Sequence, residues 1–176
     1  MKVISHTYEM MERAYQRASG LGILKNSIMN GDGNYAGYMG EETVASYLGA
    51  DIVSDHSSSH DLVKDGIRIE VKTKRRTVSP IGTYEVSVAA TSAHQKPDLY
   101  AFVSLQYSRA GIFDERRVYE GLECVWLLGY KNPEDYFREA RLLKPGDVDS
   151  DNNFRAAVDM FNLPIHRLDP GHDISI

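Results

Sequence analysis

The dipeptide Asp65-Gly66, set between two runs of β-prone residues, constrains the fold of this chain more than any other feature. Asp-Gly favours a two-residue hairpin turn, because its backbone angles suit the twist of the flanking strands. The turn also fixes the register of the two strands. Counting outward from it, Asp61 should face Glu70, with the two Cβ atoms about 4.5–5.5 Å apart.

Two facing carboxylates repel each other in an ordinary sheet, but a divalent cation would turn the pair into a binding site. Oxygen ligands with open positions suit Mg²⁺ or Mn²⁺. Because side chains alternate along a strand, Lys72 should lie on the same face as Glu70. Its ammonium group could hold an attacking water or neutralise charge on a phosphoryl group. The alternative is a solvated face on which Glu70 forms a structural ion pair with Arg68 and Lys72.

The order of these residues resembles the PD-(D/E)xK nuclease superfamily, which includes many restriction enzymes and Holliday-junction resolvases. Its members carry an Asp at the end of one strand and Glu-x-Lys in the next, as Asp61 and Glu70-Val71-Lys72 do here. His60 stands where the name-giving Pro would be. The resemblance implies a DNA endonuclease with a restriction-endonuclease-like α/β core, in which helices flank a central mixed β-sheet.

An upstream helix in this family often adds a Glu to the site. Glu41, directly after Gly40, is the closest match, and Glu42 is the fallback. The resemblance thus implies that the metal ligands are Asp61, Glu70 and the Val71 backbone carbonyl, that Glu41 acts through water or a second metal, and that Lys72 is the catalytic lysine.

The chain as a whole is expected to form one nuclease domain over residues 1–176, with the core motifs at about 37–106 and a helical and strand extension at about 131–176. Hydrophobic periodicity and capping signals predict helices over 8–18, 39–48 and 152–161, and another after the N-cap Asn132. An Asn- and Gly-rich loop is expected over 25–37. Strands are expected over 51–54, 60–64, 67–74, 83–89, 99–106, 122–129 and 164–168.

The net charge of −5 taken alone argues against nucleic-acid binding, since phosphate contacts need cations. The segment 64–76 is nevertheless locally basic. We expect Lys74, Arg75 and Arg76 to contact DNA phosphates, with Lys96 as a further candidate. The alternative for the basic run is an exposed loop without a ligand.

The specific activity stays open between an endonuclease, either branch-selective or site-specific, and an exonuclease or nickase with the same site. A third alternative is an inactive nuclease-like module that binds DNA or a protein. Cutting both strands with one small domain suggests a homodimer. With a single cysteine, no signal peptide in residues 1–15 and no long apolar run, we expect a soluble cytoplasmic protein without a membrane partner.

Overall fold

The computed structural model describes residues 1–21, 34–53, 59–92, 95–109, 121–149 and 155–170. Within these ranges, two short 3₁₀ turns, Ala90–Ser92 and Ile165–Arg167, accompany the regular elements. The helices and strands are, in chain order, β1 (Lys2–Ile4), α1 (Tyr8–Leu21), α2 (Asn34–Leu48), β2 (Asp51–Ile52), β3 (Leu62–Lys64), β4 (Ile67–Arg76), β5 (Glu85–Ala89), β6 (Leu99–Tyr107), β7 (Leu122–Lys131), α3 (Pro133–Glu139), β8 (Arg141–Leu143) and β9 (Met160–Pro164).

The described part of the chain is mixed α/β, as the sequence predicts. Six strands form a sheet in the order β1-β7-β6-β4-β3-β2, in which β4 and β6 run parallel and the other neighbours antiparallel. A second, antiparallel sheet has the order β5-β9-β8. Within the described ranges, no helix is long and apolar enough to cross a membrane.

The six-stranded sheet is covered on both faces, and each face has its own core. Helices α1 and α2 pack on one face, where Ile69 and Val71 of β4 join their apolar side chains. On the other face, Tyr100 and Phe102 of β6 pack against α3 and the second sheet. Because side chains alternate along β4, its even-numbered residues from Glu70 onward are directed to the second face.

A glycine sets the distance between α2 and β4. A Cβ atom at Gly40 would lie 2.0 Å from the Thr73 Oγ1 atom of β4, which no unaltered structure tolerates. The α2 backbone therefore lies against the Thr73 side chain of β4, and the following residue, Glu41, is near enough to Glu70 for their charges to interact.

Three expectations about secondary structure are wrong in the described residues. A helix over 152–161 does not form, because 160–164 is strand β9, which pairs with both β5 and β8. The strand expected over 164–168 is largely the 3₁₀ turn that follows β9. Residues 34–37 belong to α2 and not to a loop, since burial of Tyr35 and Ala36 outweighs the poor helix propensity of the nearby glycines.

Other elements agree with the sequence or differ in extent. Helix α3 begins after Asn132, whose side chain accepts a hydrogen bond from the Asp135 N–H at 2.9 Å, and Pro133 occupies its first turn. Strand β4 extends to Arg76 because its parallel pairing with β6 continues to that residue. The three-residue strands β1 and β8 were not expected. Most of the predicted loop, residues 25–33, lies outside the described residues.

Substitution Gly40→Ala should lower the melting temperature, because the new methyl group displaces either Thr73 or the helix; we expect a cost of about 1–3 kcal/mol. Adding Thr73→Ala should recover part of the loss by removing Oγ1. The matched control is Gly37→Ala in the same helix, where no atom lies within 4 Å, so helix propensity alone should stabilise by roughly 0.5–1 kcal/mol. Equal responses of the two variants in thermal unfolding would contradict the close approach.

Candidate active site

The hairpin that positions the site has the register that its turn predicts. Asp65 and Gly66 have φ angles of 50° and 83°, as a tight hairpin turn requires. Three of the predicted pairs are present, the last being Leu62 with Ile69. The ladder ends there, so Asp61 lies just beyond it and not in a regular pair with Glu70.

Asp61 is held at this point by two hydrogen bonds to β4. Its backbone N–H donates to the Ile69 carbonyl at 2.9 Å, and its carboxylate Oδ2 accepts the Val71 N–H at 2.8 Å. The carboxylate thus takes the place of the β3 backbone carbonyl that would accept the Val71 N–H if the ladder continued. An opening between β3 and β4 lies at this point. We call this opening the notch. Because the N–H and C=O of a strand residue face the same neighbour, the Val71 carbonyl is directed to the notch as well.

Glu70 and Lys72 form the ion pair at the centre of the site. The Lys72 Nζ atom donates to Glu70 Oε1 at 2.7 Å and to Gln95 Oε1 at 3.3 Å. The Glu70 residue is only 4% exposed, and its second oxygen, Oε2, is buried without a hydrogen-bond partner. A buried carboxylate oxygen without a donor is costly, so this atom could accept a hydrogen-bond donor or a cation.

Glu41 joins this cluster from helix α2. Its carboxylate accepts a hydrogen bond from Arg17 Nη2 of α1 at 2.6 Å. Glu42 is also buried, but it pairs with Arg13 at 2.8 Å and lines a different cleft with Ala45 and other residues. Of the two candidates for the helical acid, Glu41 is the one whose charge acts on Asp61 and Glu70.

Desolvation and the charges of neighbouring acids raise the pKa of Asp61 and of Glu41. Burial raises the pKa of Asp61 well above its ordinary range, and the charges of Glu70 and Glu41 add to the effect. The residue keeps some exposed surface, but its carboxylate is directed inward to Val71, which explains why burial has the largest influence. Burial also raises the pKa of Glu41 to about 7, although Arg17 opposes the shift.

Sequence reasoning did not identify Arg17, Gln95 or Tyr100 as members of the site. The Tyr100 hydroxyl is buried without a partner, and burial, with the charge of Glu70, raises the pKa of Tyr100 to about 12. The spacing of Arg13 and Arg17, four residues apart on one helix face, is a signal for partnering acids. No local pattern indicates Gln95 or Tyr100, which reach the site through packing.

The residues present fit a divalent cation bound mainly through water. Within the described ranges, no three His, Cys, Asp or Glu side chains converge as a complete metal cage. Mg²⁺ does not need one, since it is usually held by one or two carboxylates and keeps several waters. Asp61, Glu70 and the Val71 carbonyl could supply those protein ligands. The unpartnered Glu70 Oε2 atom is the observation that supports the fit.

The predicted DNA-binding residues do not form one exposed run. Lys74 and Arg76 lie within β4 on the face of Glu70 and Lys72, and both donate to the Glu85 carbonyl, at 3.0 and 2.8 Å. By strand alternation Arg75 is directed to the opposite face. Lys96 is exposed in the segment before β6, directly after the site residue Gln95.

The chain matches no known protein-family model, and no curated protein is significantly similar to it in sequence.

In EDTA, Asp61→Asn should raise the melting temperature at pH 7. The raised folded-state pKa means that the native protein binds more protons than the unfolded chain, so wild-type stability falls as pH rises from about 4 toward that pKa. The amide oxygen can still accept the Val71 N–H, while the repulsion is removed. A gain of about 1 kcal/mol would correspond to roughly 2–4 °C.

The matched control is Asp65→Asn, which changes an exposed carboxylate at the hairpin turn, where Asn-Gly is equally suitable. Its melting temperature should follow the wild-type pH dependence. Thermal unfolding between pH 5 and 7.5 checks both variants, and a lower melting temperature for Asp61→Asn at pH 7 would show that its carboxylate stabilises the fold.

Proposed function

We propose that the protein is a Mg²⁺- or Mn²⁺-dependent deoxyribonuclease that hydrolyses phosphodiester bonds of DNA as an endonuclease. The observation that carries this proposal is the buried, unpartnered Glu70 oxygen beside the desolvated Asp61 carboxylate, with the Lys72 ammonium in contact with the same Glu70. The arrangement combines a place for a hard cation with a positive group beside it. We infer that α2 and the β3–β4 hairpin belong to a restriction-endonuclease-like core.

A purely structural ion pair explains the site less well. Such a pair needs only Glu70 and Lys72, with every charged atom satisfied. Here Asp61 makes no ion pair in the described residues, although burial penalises its charge. Burying a third acid that has no cationic partner adds a desolvation cost that the pair itself does not need. The presence of this additional buried acid next to β4 favours a ligand-binding role.

The residues of the chain have separate roles in this proposal. Asp61 and Glu70 hold the cation with the Val71 carbonyl, and Arg17 positions Glu41 beside them. When bound, the cation supplies Lewis-acid activation of water and of the phosphate. Lys72 stabilises the negative charge that develops on the phosphoryl oxygens, and its bond to Gln95 fixes the ammonium group beforehand. We further propose that two copies act as a dimer when both strands are cut.

Substitution Lys72→Ala should reduce DNA cleavage about 10²-fold or more, because it removes the positive group that acts on the transition state. Binding of DNA and metal should change little. The matched control is Lys64→Ala, which removes a lysine that lies outside the site and pairs with Asp65. Single-turnover cleavage and melting curves should be measured together. If Lys72→Ala lowers the melting temperature and still cuts at the wild-type rate, the residue is structural.

Cleavage should require Mg²⁺ or Mn²⁺ and stop in EDTA. Calcium should bind but support little turnover, because its looser coordination positions the water poorly. The assay compares supercoiled plasmid, linear duplex, single strand, flap and four-way junction with each metal. Cutting of the circular plasmid separates an endonuclease or nickase from an exonuclease, and undiminished cleavage in EDTA would refute the mechanism.

A further inference from the structure

A pocket of about 430 Å³ lies beyond the site, between β4 and the second sheet. One wall carries Lys74 and Arg76, and the opposite wall carries Glu85, Asp149 and Asn162. Cavities of this size hold one small ligand or one unit of a larger one. We call it the cationic pocket, after the two side chains of β4.

Neither Lys74 nor Arg76 makes a direct ion pair with the acids that line this pocket. Both donate to the same backbone oxygen, the Glu85 carbonyl, and neither forms an ion pair with a described residue. The Arg76 Nε atom is buried without a hydrogen-bond partner, and its guanidinium lies 5.2 Å from the centre of the Tyr84 ring. Burial, followed by the charge of Arg76, lowers the pKa of Lys74 to about 8. Two adjacent desolvated cations are an unfavourable arrangement until an anion joins them.

The carboxylates across the pocket are already engaged by other groups. Glu85 Oε2 accepts from Arg141 at 3.0 Å and from the Asn162 amide at 2.9 Å. The same amide donates to Asp149 at 3.2 Å, and Arg141 lies 3.7 Å from that carboxylate. Arg141 and Asn162 thus hold Glu85 and Asp149 in place. The two acids oppose the lowering of the Lys74 pKa, but burial and the charge of Arg76 outweigh them.

The geometry points to a phosphate-binding subsite: we propose that the cationic pocket holds a backbone phosphate and its nucleotide from an unpaired stretch of the DNA strand that the protein cuts. This inference rests on the proposed nuclease function. Lys72, Lys74 and Arg76 share one face of β4, at intervals of about 6.5–7 Å. A DNA strand that enters the site at Lys72 therefore contacts a second cation, Lys74, at the pocket and a third, Arg76, farther inside it.

The nucleotide must be unpaired because the pocket is narrow. Its volume suits one nucleotide, and a double helix cannot enter between the two sheets. Tyr84 and Met160 contribute apolar surface beside the cations, which suits a sugar or base. Enzymes that need a single nucleotide in a pocket take it from single-stranded DNA or extrude it from the duplex. Flaps, junctions and single strands should consequently bind better than intact duplex.

Fluorescence anisotropy with a labelled single-stranded oligonucleotide, in EDTA, tests the pocket without requiring cleavage. Arg76→Gln and Lys74→Met should each weaken binding about tenfold, since each removes a charged hydrogen-bond donor. Each should also reduce the salt slope by about 0.7. Arg138→Gln, an exposed arginine of α3 that pairs with Asp135, is the matched control and should bind as the wild type does.

Melting curves show whether a variant binds weakly because it is unfolded. Removing one of two repelling buried cations should leave the melting temperature of the free protein unchanged or higher. If folded Arg76→Gln and Lys74→Met bind as tightly as Arg138→Gln, with the same salt slope, the pocket proposal is wrong. If the wild type binds intact duplex as well as single strands, the unpaired nucleotide is excluded.

Cleavage of the same oligonucleotide with Mg²⁺ separates the two proposals. Weakened binding in the pocket variants, with no cleavage by the wild type, would refute the nuclease function and support the pocket as a nucleic-acid site. Cleavage by the wild type with unchanged binding in both variants would support the nuclease and refute the pocket.

Discussion

The hydrogen bond between the Val71 N–H and the Asp61 carboxylate is the interaction on which the candidate site depends. A central strand whose neighbour departs exposes backbone groups that need new partners. The ladder between β3 and β4 ends at Leu62, the first residue of β3, and the side chain of the preceding residue, Asp61, accepts the hydrogen bond from the Val71 N–H that is left open. A carboxyl group fixed in this way stays beside Glu70, so the backbone geometry of β4 holds two acidic side chains together.

Two cations, one from helix α1 and one from β4 itself, bind acids of this cluster. Arg17 of α1 binds Glu41, and Lys72 of β4 binds Glu70. The cluster therefore forms only when helices and sheet have packed, at a distance that Gly40 sets. The free-energy cost of removing charges from water often exceeds the gain from pairing them, so such a cluster does little to stabilise the fold. Its cost is better explained by a ligand that completes it.

Local signals in the sequence predict the parts of the molecule that depend on neighbouring residues. Asp65-Gly66 specifies the hairpin and its register, and Asn132 with Pro133 specifies the start of α3, because each feature acts within a few residues. Strand β9 could not be predicted in the same way. Its residues have helix-like spacing, and only pairing with β5 and β8, distant in sequence, makes them a strand.

In the candidate site too, some residues can be predicted from local spacing and others only from the packed structure. Asp61, Glu70 and Lys72 are identified by spacing along one hairpin. Gln95 reaches Lys72, and Arg17 reaches Glu41, across more than twenty residues. The confinement of Lys74 and Arg76 was also not predictable. Their sequence resembles an exposed basic run, and only the second sheet, which forms through β9, encloses them in a pocket.

The charge of the side chains on the Glu70 face of β4 changes from acidic to basic along the strand. This change limits which ligands could pair with all of these side chains. A cation would stabilise the acids Glu70 and Asp61, whereas an anion would stabilise Lys74 and Arg76. The two ends cannot neutralise each other, because Glu70 and Arg76 are six residues, or about 20 Å, apart along the strand. A phosphate strand accompanied by a divalent cation carries both charges at a suitable separation. The overall charge of −5 does not oppose this, since exposed charges farther than about 10 Å away are largely screened.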